Sequence, residues 1–272
     1  MSAALAPDEF QFLADLLKQR SGLALTPDKG YLLDTRLTPI AKANGLADLR
    51  ELVAKLRANP SAPLAYQVIE SMTTNESMFF RDSKPFEQLS KVILPALKER
   101  GATSVRIWSA ACSTGQEAYS IAMTLKEESL KYPNMKFEIV GTDLAEKVLE
   151  RARAGIYSQF EIQRGLPITM LMKYFTQRAN NNWEINDAIK AMAKFSTGNL
   201  LMPFAAAGKF DIIFCRNVLI YFDEKTKSDV MNRLAACMNA PGYLFLGTSE
   251  TTNALCDKFK VMEEHRGMFT LA

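Results

Sequence analysis

The chain has 272 residues, 48% of them hydrophobic and 23% charged, with a net charge of +3, which suits one large domain or a moderate domain with a smaller companion and gives no electrostatic case for nucleic acid. No apolar stretch is long enough for a bilayer, and the opening MSAALAPDEF lacks a basic and then apolar leader, so a cytoplasmic protein is expected. Four cysteines without a CxxC pair and a single histidine, His265, argue against a disulfide framework, a zinc site and any chemistry needing several imidazoles.

The first eighty or so residues read as helices. Phe10, Leu13, Leu16 and Leu17 fall at helical spacing, and Ser21-Gly22 ends that run. Leu33, Leu37, Ile40 and Ala41 mark a second helix, closed by Asn44-Gly45. Asp48 is placed to cap a third, with Leu49, Leu52, Val53 and Leu56 on one face. After Pro60 and Pro63, Leu64, Val68, Ile69 and Met72 form a fourth stripe.

From Val105 short β-rich runs alternate with helical stripes. VRIWSA precedes a helix through Ile121 and Leu125; KFEIVGTD precedes one through Val148, Leu149 and Ala152. FDIIFCRN, a helix around Val230 and Leu234, and YLFLGTSE follow. This alternation predicts a parallel, doubly wound sheet, with KVMEE and MFTLA as antiparallel strands at one edge. Between Gly155 and Lys194 the alternation breaks down: QRGLPITMLMKYF predicts one helix, and RANNNWEIN a polar turn entering a short strand. That stretch reads as a small insertion on the main sheet.

Polar groups gather at three strand ends. In WSAACSTGQE small residues let a ligand approach the backbone, and Ser113 or Thr114 is placed to cap the next helix. The run lacks G-x-G-x-x-G, so a plain helix cap is the alternative. Asp143 ends the second strand, where nucleoside-binding sheets hold ribose hydroxyls; capping at Leu144 is the plainer role. Arg216 and Asn217 end the apolar run FDIIFC, with capping by Asn217 as the alternative. Three polar tips on three strand ends favour a shared site.

The strings SMTTNESMFFRD, WSAACSTGQEAYSIA, GTDLAEKVLERARAGIY, STGNLL and FCRNVLIYFD resemble the bacterial chemotaxis receptor methyltransferases, the CheR family, in order along nearly the whole chain. The resemblance implies an α/β fold: a Rossmann-like S-adenosylmethionine-dependent methyltransferase domain over 83–272, with a small β-subdomain inserted at about 156–194. An N-terminal helical receptor-recognition domain and linker are implied over 1–82. It implies methyl transfer from S-adenosylmethionine to receptor glutamates, with S-adenosylhomocysteine as product and no metal. Matched by motif, Asn75, Ser77 and Arg81 line the cofactor cleft from the linker. Glu117 meets the methionyl ammonium, Asp143 the ribose, Asn199 and Leu200 the adenine side, and Arg216 and Asn217 the remaining polar contacts. Family members often have Thr at the position of Ser77, and the hydroxyl is retained here.

Arg81 is expected to position an anionic group, either the acceptor carboxylate or the methionyl carboxylate, and Tyr221 to steer the acceptor, with a surface ion pair and simple packing as their respective alternatives. Arg36, Lys42, Arg50, Lys55 and Arg57, against Asp48 and Glu51, offer a modest basic face towards the acidic cytoplasmic helices of a receptor. The compact RANNNWEIN turn points away from capture of a receptor's C-terminal tether. Arg-Asn-Val-Leu stands where amino-methylating nucleic-acid enzymes carry an N-P-P-Y-like motif, which argues against that substrate. Direct membrane insertion is not expected, and recruitment to receptor arrays is. A cofactor-sensing module without turnover is the rival from another class.

Overall fold

The four apolar stripes of the N-terminal region become four helices: α1 (Pro7–Ser21), α2 (Tyr31–Ala43), α3 (Leu49–Ala58) and α4 (Pro63–Met72). The computed structural model describes residues 5–60, 62–204, 208–252 and 255–271; the first four residues read above for a leader lie outside these. The chain forms two units, Met1–Thr74 with Tyr221–Lys227, and Asn75–Ile220 with Ser228–Ala272.

In the first unit the helix ends follow local chemistry. The Glu9 carboxylate accepts from the Ala6 N–H at 2.7 Å, and Gly22 closes α1 at φ 80°. The Asp48 carboxylate accepts from the Glu51 N–H at 3.0 Å, as its position predicts. Leu13, Leu17, Leu33, Leu37, Leu52, Leu56 and Val68 are buried, each contributing about 1.5–3 kcal/mol to the core. Arg36 donates to the Met72 and Thr73 carbonyls at 2.7 and 3.1 Å, filling acceptors that the end of α4 leaves open. The segment Tyr221–Lys227 joins this unit through the Ala24 N–H on the Tyr221 carbonyl (2.9 Å) and the Lys18–Asp223 ion pair (2.6 Å). Arg57 pairs with Asp8 at 2.8 Å and Arg50 with Glu9 at 3.7 Å. Three of the five basic residues expected to face a partner are thus engaged inside their own unit.

The second unit opens with a helical stretch that the apolar pattern did not disclose: α5 (Lys84–Gln88), a π-helical turn at Leu89–Ile93, and α6 (Leu94–Glu99). Then come β1 (Ser104–Ala110), α7 (Gln116–Glu128), β2 (Lys136–Asp143) and α8 (Glu146–Ala154), in the predicted alternation. The insertion carries β3 (Ile156–Ser158), α9 (Gln159–Gln163), α10 (Ile168–Tyr174), β4 (Phe175–Arg178), β5 (Asn182–Ile185) and α11 (Asp187–Lys190). The main sheet resumes with β6 (Ala193–Thr197) and β7 (Phe210–Cys215). It ends with α12 (Glu224–Ala236), β8 (Met238–Leu246), β9 (Phe259–Val261) and β10 (Met268–Leu271).

The seven-stranded sheet has the order β6-β2-β1-β7-β8-β10-β9, with β10 and β9 joined by antiparallel pairing. Parallel pairing links β6, β2, β1, β7 and β8. The chain leaves β1 first towards β2 and later towards β7. That reversal opens a crevice outside the carboxyl ends of β1 and β7. The six apolar or half-buried residues of β7, FDIIFC, suit a strand covered on both faces.

The structure departs from the expected elements in four places. The segment 75–82, read above as the linker that ends the 1–82 region, groups with the sheet unit: Phe79 is fully buried against Tyr157 and Phe175, with ring centroids at 4.9 and 5.5 Å. Ala193–Thr197, partly counted in the insertion, is an outer parallel strand whose half-exposed pattern lacks the apolar run of a central one. The single helix expected from QRGLPITMLMKYF starts only at Ile168; α9 precedes a break at Gly165–Pro167. Gly165 holds φ 85°, and a Cβ there would lie 2.1 Å from the Phe79 carbonyl oxygen. Lastly, β3 and β4 flank β5 in a three-stranded antiparallel sheet, the small β-subdomain that the resemblance implies, where the residue pattern alone gave one short strand.

Candidate active site

Backbone strain locates the site before any ligand is considered. Among the described residues eight non-glycine positions have positive φ, and six of them are Phe80, Asp82, Ser83, Ala111, Ser113 and Asn217. They fall in three segments: the chain entering α5, the turn after β1, and the residues after β7. Such conformations cost roughly 1–3 kcal/mol each and persist where surrounding bonds hold them.

After β1 the chain turns through Ala111 (φ 58°), Ser113 (φ 51°) and Gly115 (φ 91°) into α7. Neither Ser113 nor Thr114 caps that helix, contrary to expectation: Gly115 is the capping residue and no side chain closes it. Ser113 is drawn elsewhere. Its hydroxyl donates to the Asn75 carbonyl at 2.7 Å, and its N–H donates to the Asp143 carboxylate at 2.8 Å. The Thr114 hydroxyl donates to the Gln116 side chain at 2.7 Å. The Thr114 carbonyl accepts from the Tyr157 hydroxyl at 2.8 Å, which ties the loop to β3. Burial pushes the Tyr157 hydroxyl well above the ordinary tyrosine value.

Asp143 is buried, and its other carboxylate oxygen accepts from the Ala145 N–H at 3.0 Å. The side chain therefore closes the turn after β2 and, through Ser113, fixes the turn after β1. Its carbonyl accepts from Gly198 at 2.9 Å, which brings the 199–200 segment beside it. A Cβ on Gly198 would lie 2.4 Å from the Phe204 ring and 3.0 Å from Thr142 Cβ, so the approach requires glycine. Asn199 accepts from the Leu201 N–H at 2.9 Å through its side-chain oxygen, and Leu200 is half-buried.

The most concentrated charge lies at the end of β7. Arg216 is 2% exposed at its side chain. It donates to Glu117 Oε2 at 2.9 Å, to Asp82 Oδ2 at 2.6 Å and to the Arg81 carbonyl at 2.9 Å. Glu117 Oε1 accepts from the Ser109 hydroxyl at 2.7 Å. One guanidinium thus serves two carboxylates from different segments, leaving the cluster with an excess negative charge. The same bonds bind the strained 80–83 turn to the sheet, with the Phe80 N–H donating to the Ser120 hydroxyl at 2.9 Å.

Asn75, Ser77, Arg81, Glu117, Asp143, Asn199, Leu200, Arg216 and Asn217 all belong to the sheet unit. Direct bonds join Asn75 to the β1 turn, that turn to Asp143, and Glu117 through Arg216 to the Arg81 backbone. Ser77 and the Arg81 side chain are half-buried. Tyr221 belongs to the helical unit. Sequence reading passed over two carboxylates. Asp82 sits in the quoted FFRD string, where its acidity beside Arg81 was the available signal. Glu250 accepts from the N–H groups of Asn217, Val218, Leu219 and Gly247 at 2.6–2.9 Å; only its place three residues beyond Gly247 hinted at it.

The chain is similar to proteins of one family along nearly its whole length. Residues 75–268 match the family model described as CheR methyltransferase, SAM binding domain, and residues 8–73 the one described as CheR methyltransferase, all-alpha domain. "Chemotaxis protein methyltransferase Cher2" of Pseudomonas putida is 39% identical over 94% of either chain. "Chemotaxis protein methyltransferase 1" of Pseudomonas aeruginosa is 40% identical, covering 97% of this chain and 96% of its own. "Chemotaxis protein methyltransferase" of Vibrio parahaemolyticus is 37% identical over the same shares. The chain belongs to the CheR methyltransferase family and is an S-adenosylmethionine-dependent methyltransferase with a Rossmann-like catalytic unit.

Proposed function

We propose that the crevice at the carboxyl ends of β1, β2 and β7 binds S-adenosylmethionine and directs methyl transfer to glutamate carboxylates in the cytoplasmic helical region of chemotaxis receptors. S-adenosylhomocysteine is the product, and no metal takes part. The observation that carries this reading is the two-carboxylate, one-guanidinium cluster that Arg216, at the end of β7, forms with Glu117 of α7 and Asp82 of the turn before α5. Its excess negative charge suits a ligand bearing an ammonium and a sulfonium. Glu117 takes the ammonium end. Asp143, oriented by two backbone amides, takes the ribose hydroxyls. Asn199 and Leu200 serve the adenine side, Asn75 and Ser77 close the cleft, and Arg216 and Asn217 hold its β7 wall.

The cofactor, when bound, supplies an electrophilic methyl group on sulfur. A glutamate acceptor with a pKa of about 4.3 is already a carboxylate at neutral pH, so no side chain here has to remove a proton. The work left to the protein is alignment, which can lower a barrier by roughly 7–11 kcal/mol. Arg81 orients the acceptor carboxylate; too tight an ion pair would cost nucleophilicity, so its pull is weak by design. Tyr221 is the second residue assigned to steering the acceptor. The compact Ala179–Asn181 turn between β4 and β5 supports recognition without tether capture. The enzyme acts in the cytoplasm at receptor arrays, without nucleic acid or membrane insertion; among the described residues no helix is long and apolar enough to cross a membrane.

The test is incubation with labelled S-adenosylmethionine and a receptor cytoplasmic fragment, followed by mild base. Label released as methanol, and lost in Arg81→Ala, is the expected result. Base-stable label would refute esterification.

A further inference from the structure

Where β7 ends, four successive backbone N–H groups, from Asn217 to Ile220, leave the sheet ladder and need acceptors. The Glu250 carboxylate, from the loop after β8, supplies them. One oxygen accepts from Val218 at 2.9 Å, Leu219 at 2.8 Å and Ile220 at 3.3 Å. The other accepts from Asn217 at 2.8 Å and from Gly247 at 2.6 Å. Five amides on one ionised side chain make an anion nest with its anion built in.

The nest determines more than a turn. Asn217 holds φ 59°, a conformation that Asn tolerates but that local chemistry alone does not enforce. Its own N–H is one of the five donors, so the carboxylate fixes the backbone from which its side chain projects. Gly247 makes room for both groups: a Cβ there would lie 2.7 Å from Glu250 Oε2 and 2.8 Å from Asn217 Nδ2. The residue immediately before Asn217 is Arg216, the buried cation of the site.

We infer that Glu250 is a positioning residue for cofactor binding, acting through the Asn217 backbone and touching neither cofactor nor acceptor itself. This rests on the assignment of Asn217 to the cofactor wall.

The experiment measures S-adenosylmethionine affinity by calorimetry, and kcat with KM, for the full chain and for Glu250→Ala, Glu250→Gln, Asn217→Ala and Glu250→Ala/Asn217→Ala. Near-ultraviolet circular dichroism checks each fold. Glu250→Ala should weaken affinity about tenfold or more, the equivalent of losing one charge-assisted hydrogen bond, and raise the cofactor KM more than it lowers kcat. The double variant should be no weaker than the worse single one, because both act on one group. Formate should restore affinity to Glu250→Ala by entering the vacated nest, with equal chloride ineffective, and should leave Asn217→Ala unchanged. If Glu250→Ala does not fold, Glu250→Gln, which keeps shape and loses charge, carries the same expectation with a smaller loss. Parent affinity in a folded Glu250→Ala, additive losses in the double variant, or rescue of Asn217→Ala by formate would each overturn the inference. A parent protein that does not bind S-adenosylmethionine overturns the cofactor reading itself, and that outcome is distinct from all of these.

Discussion

Replacing Arg216 with methionine keeps the side chain's approximate length and removes its charge. The guanidinium is 2% exposed and sits between Glu117, 15% exposed, and Asp82, 31% exposed. Removing it strands two carboxylates. Water reaches Asp82 and screens part of its loss, so Glu117 carries most of the penalty. Breaking a buried pair from one side costs about 3–5 kcal/mol, because the remaining charge stays buried without its partner. Glu117→Gln removes that stranded charge. Combined with Arg216→Met it should recover stability, with a coupling of about 1–3 kcal/mol between the two positions. Urea unfolding followed by tryptophan fluorescence is well matched to this question. The chain has two tryptophans, and both Trp108 and Trp183 lie in the sheet unit. A loss below about 1 kcal/mol in Arg216→Met, or strict additivity in the double variant, would refute the claim that this cation holds the site together.

Gly198→Ala drives a methyl group into the Phe204 ring and Thr142; it should destabilise the sheet unit by about 1–3 kcal/mol and weaken S-adenosylmethionine binding, read by urea midpoint and calorimetry. Asp48→Ala removes the cap on α3 and should cost about 1 kcal/mol, read as a lowered helical melting transition by circular dichroism. Burial raises the hydroxyl pKa of both Tyr157 and Tyr119 above the reference value of 10.0. Their neutral forms are favoured in the folded state, so stability is intact below about pH 10 and falls above it as the unfolded chain ionises first. Tyr157→Phe should therefore lose less stability than the parent between neutral pH and pH above 10; equal losses in urea midpoint would contradict this.

Much of the candidate site was legible because polar residues fall at or just after strand ends, and strand ends can be read from short apolar runs. VRIWSA, KFEIVGTD and FDIIFCRN placed Asp143, Arg216 and Asn217 at strand ends and Glu117 at the start of the helix after the first strand, all on the carboxyl side of one sheet. The bonds among them were less legible. Ser113 looked like a helix cap, yet two longer-range partners, Asn75 and Asp143, claim its hydroxyl and its amide. Glu250 closed the β-rich run YLFLGTSE without being singled out, and its importance appears only when β8 lies beside β7.

The sequence by itself determined what neighbours along the chain decide. The stripe and cap of α3, the glycine stop after α1 and the alternation of strand and helix follow from spacing, propensity and hydrogen bonds within a few residues. Tertiary structure alone decided the partners of the buried charges. Arg216 meets Asp82, 134 residues away, and Glu117, 99 residues away, because strand order and the strained 80–83 turn bring them within hydrogen-bond distance. A buried charge must be paired wherever its partner comes from, and that partner is set by packing across the sheet, which the spacing of residues along the chain does not encode.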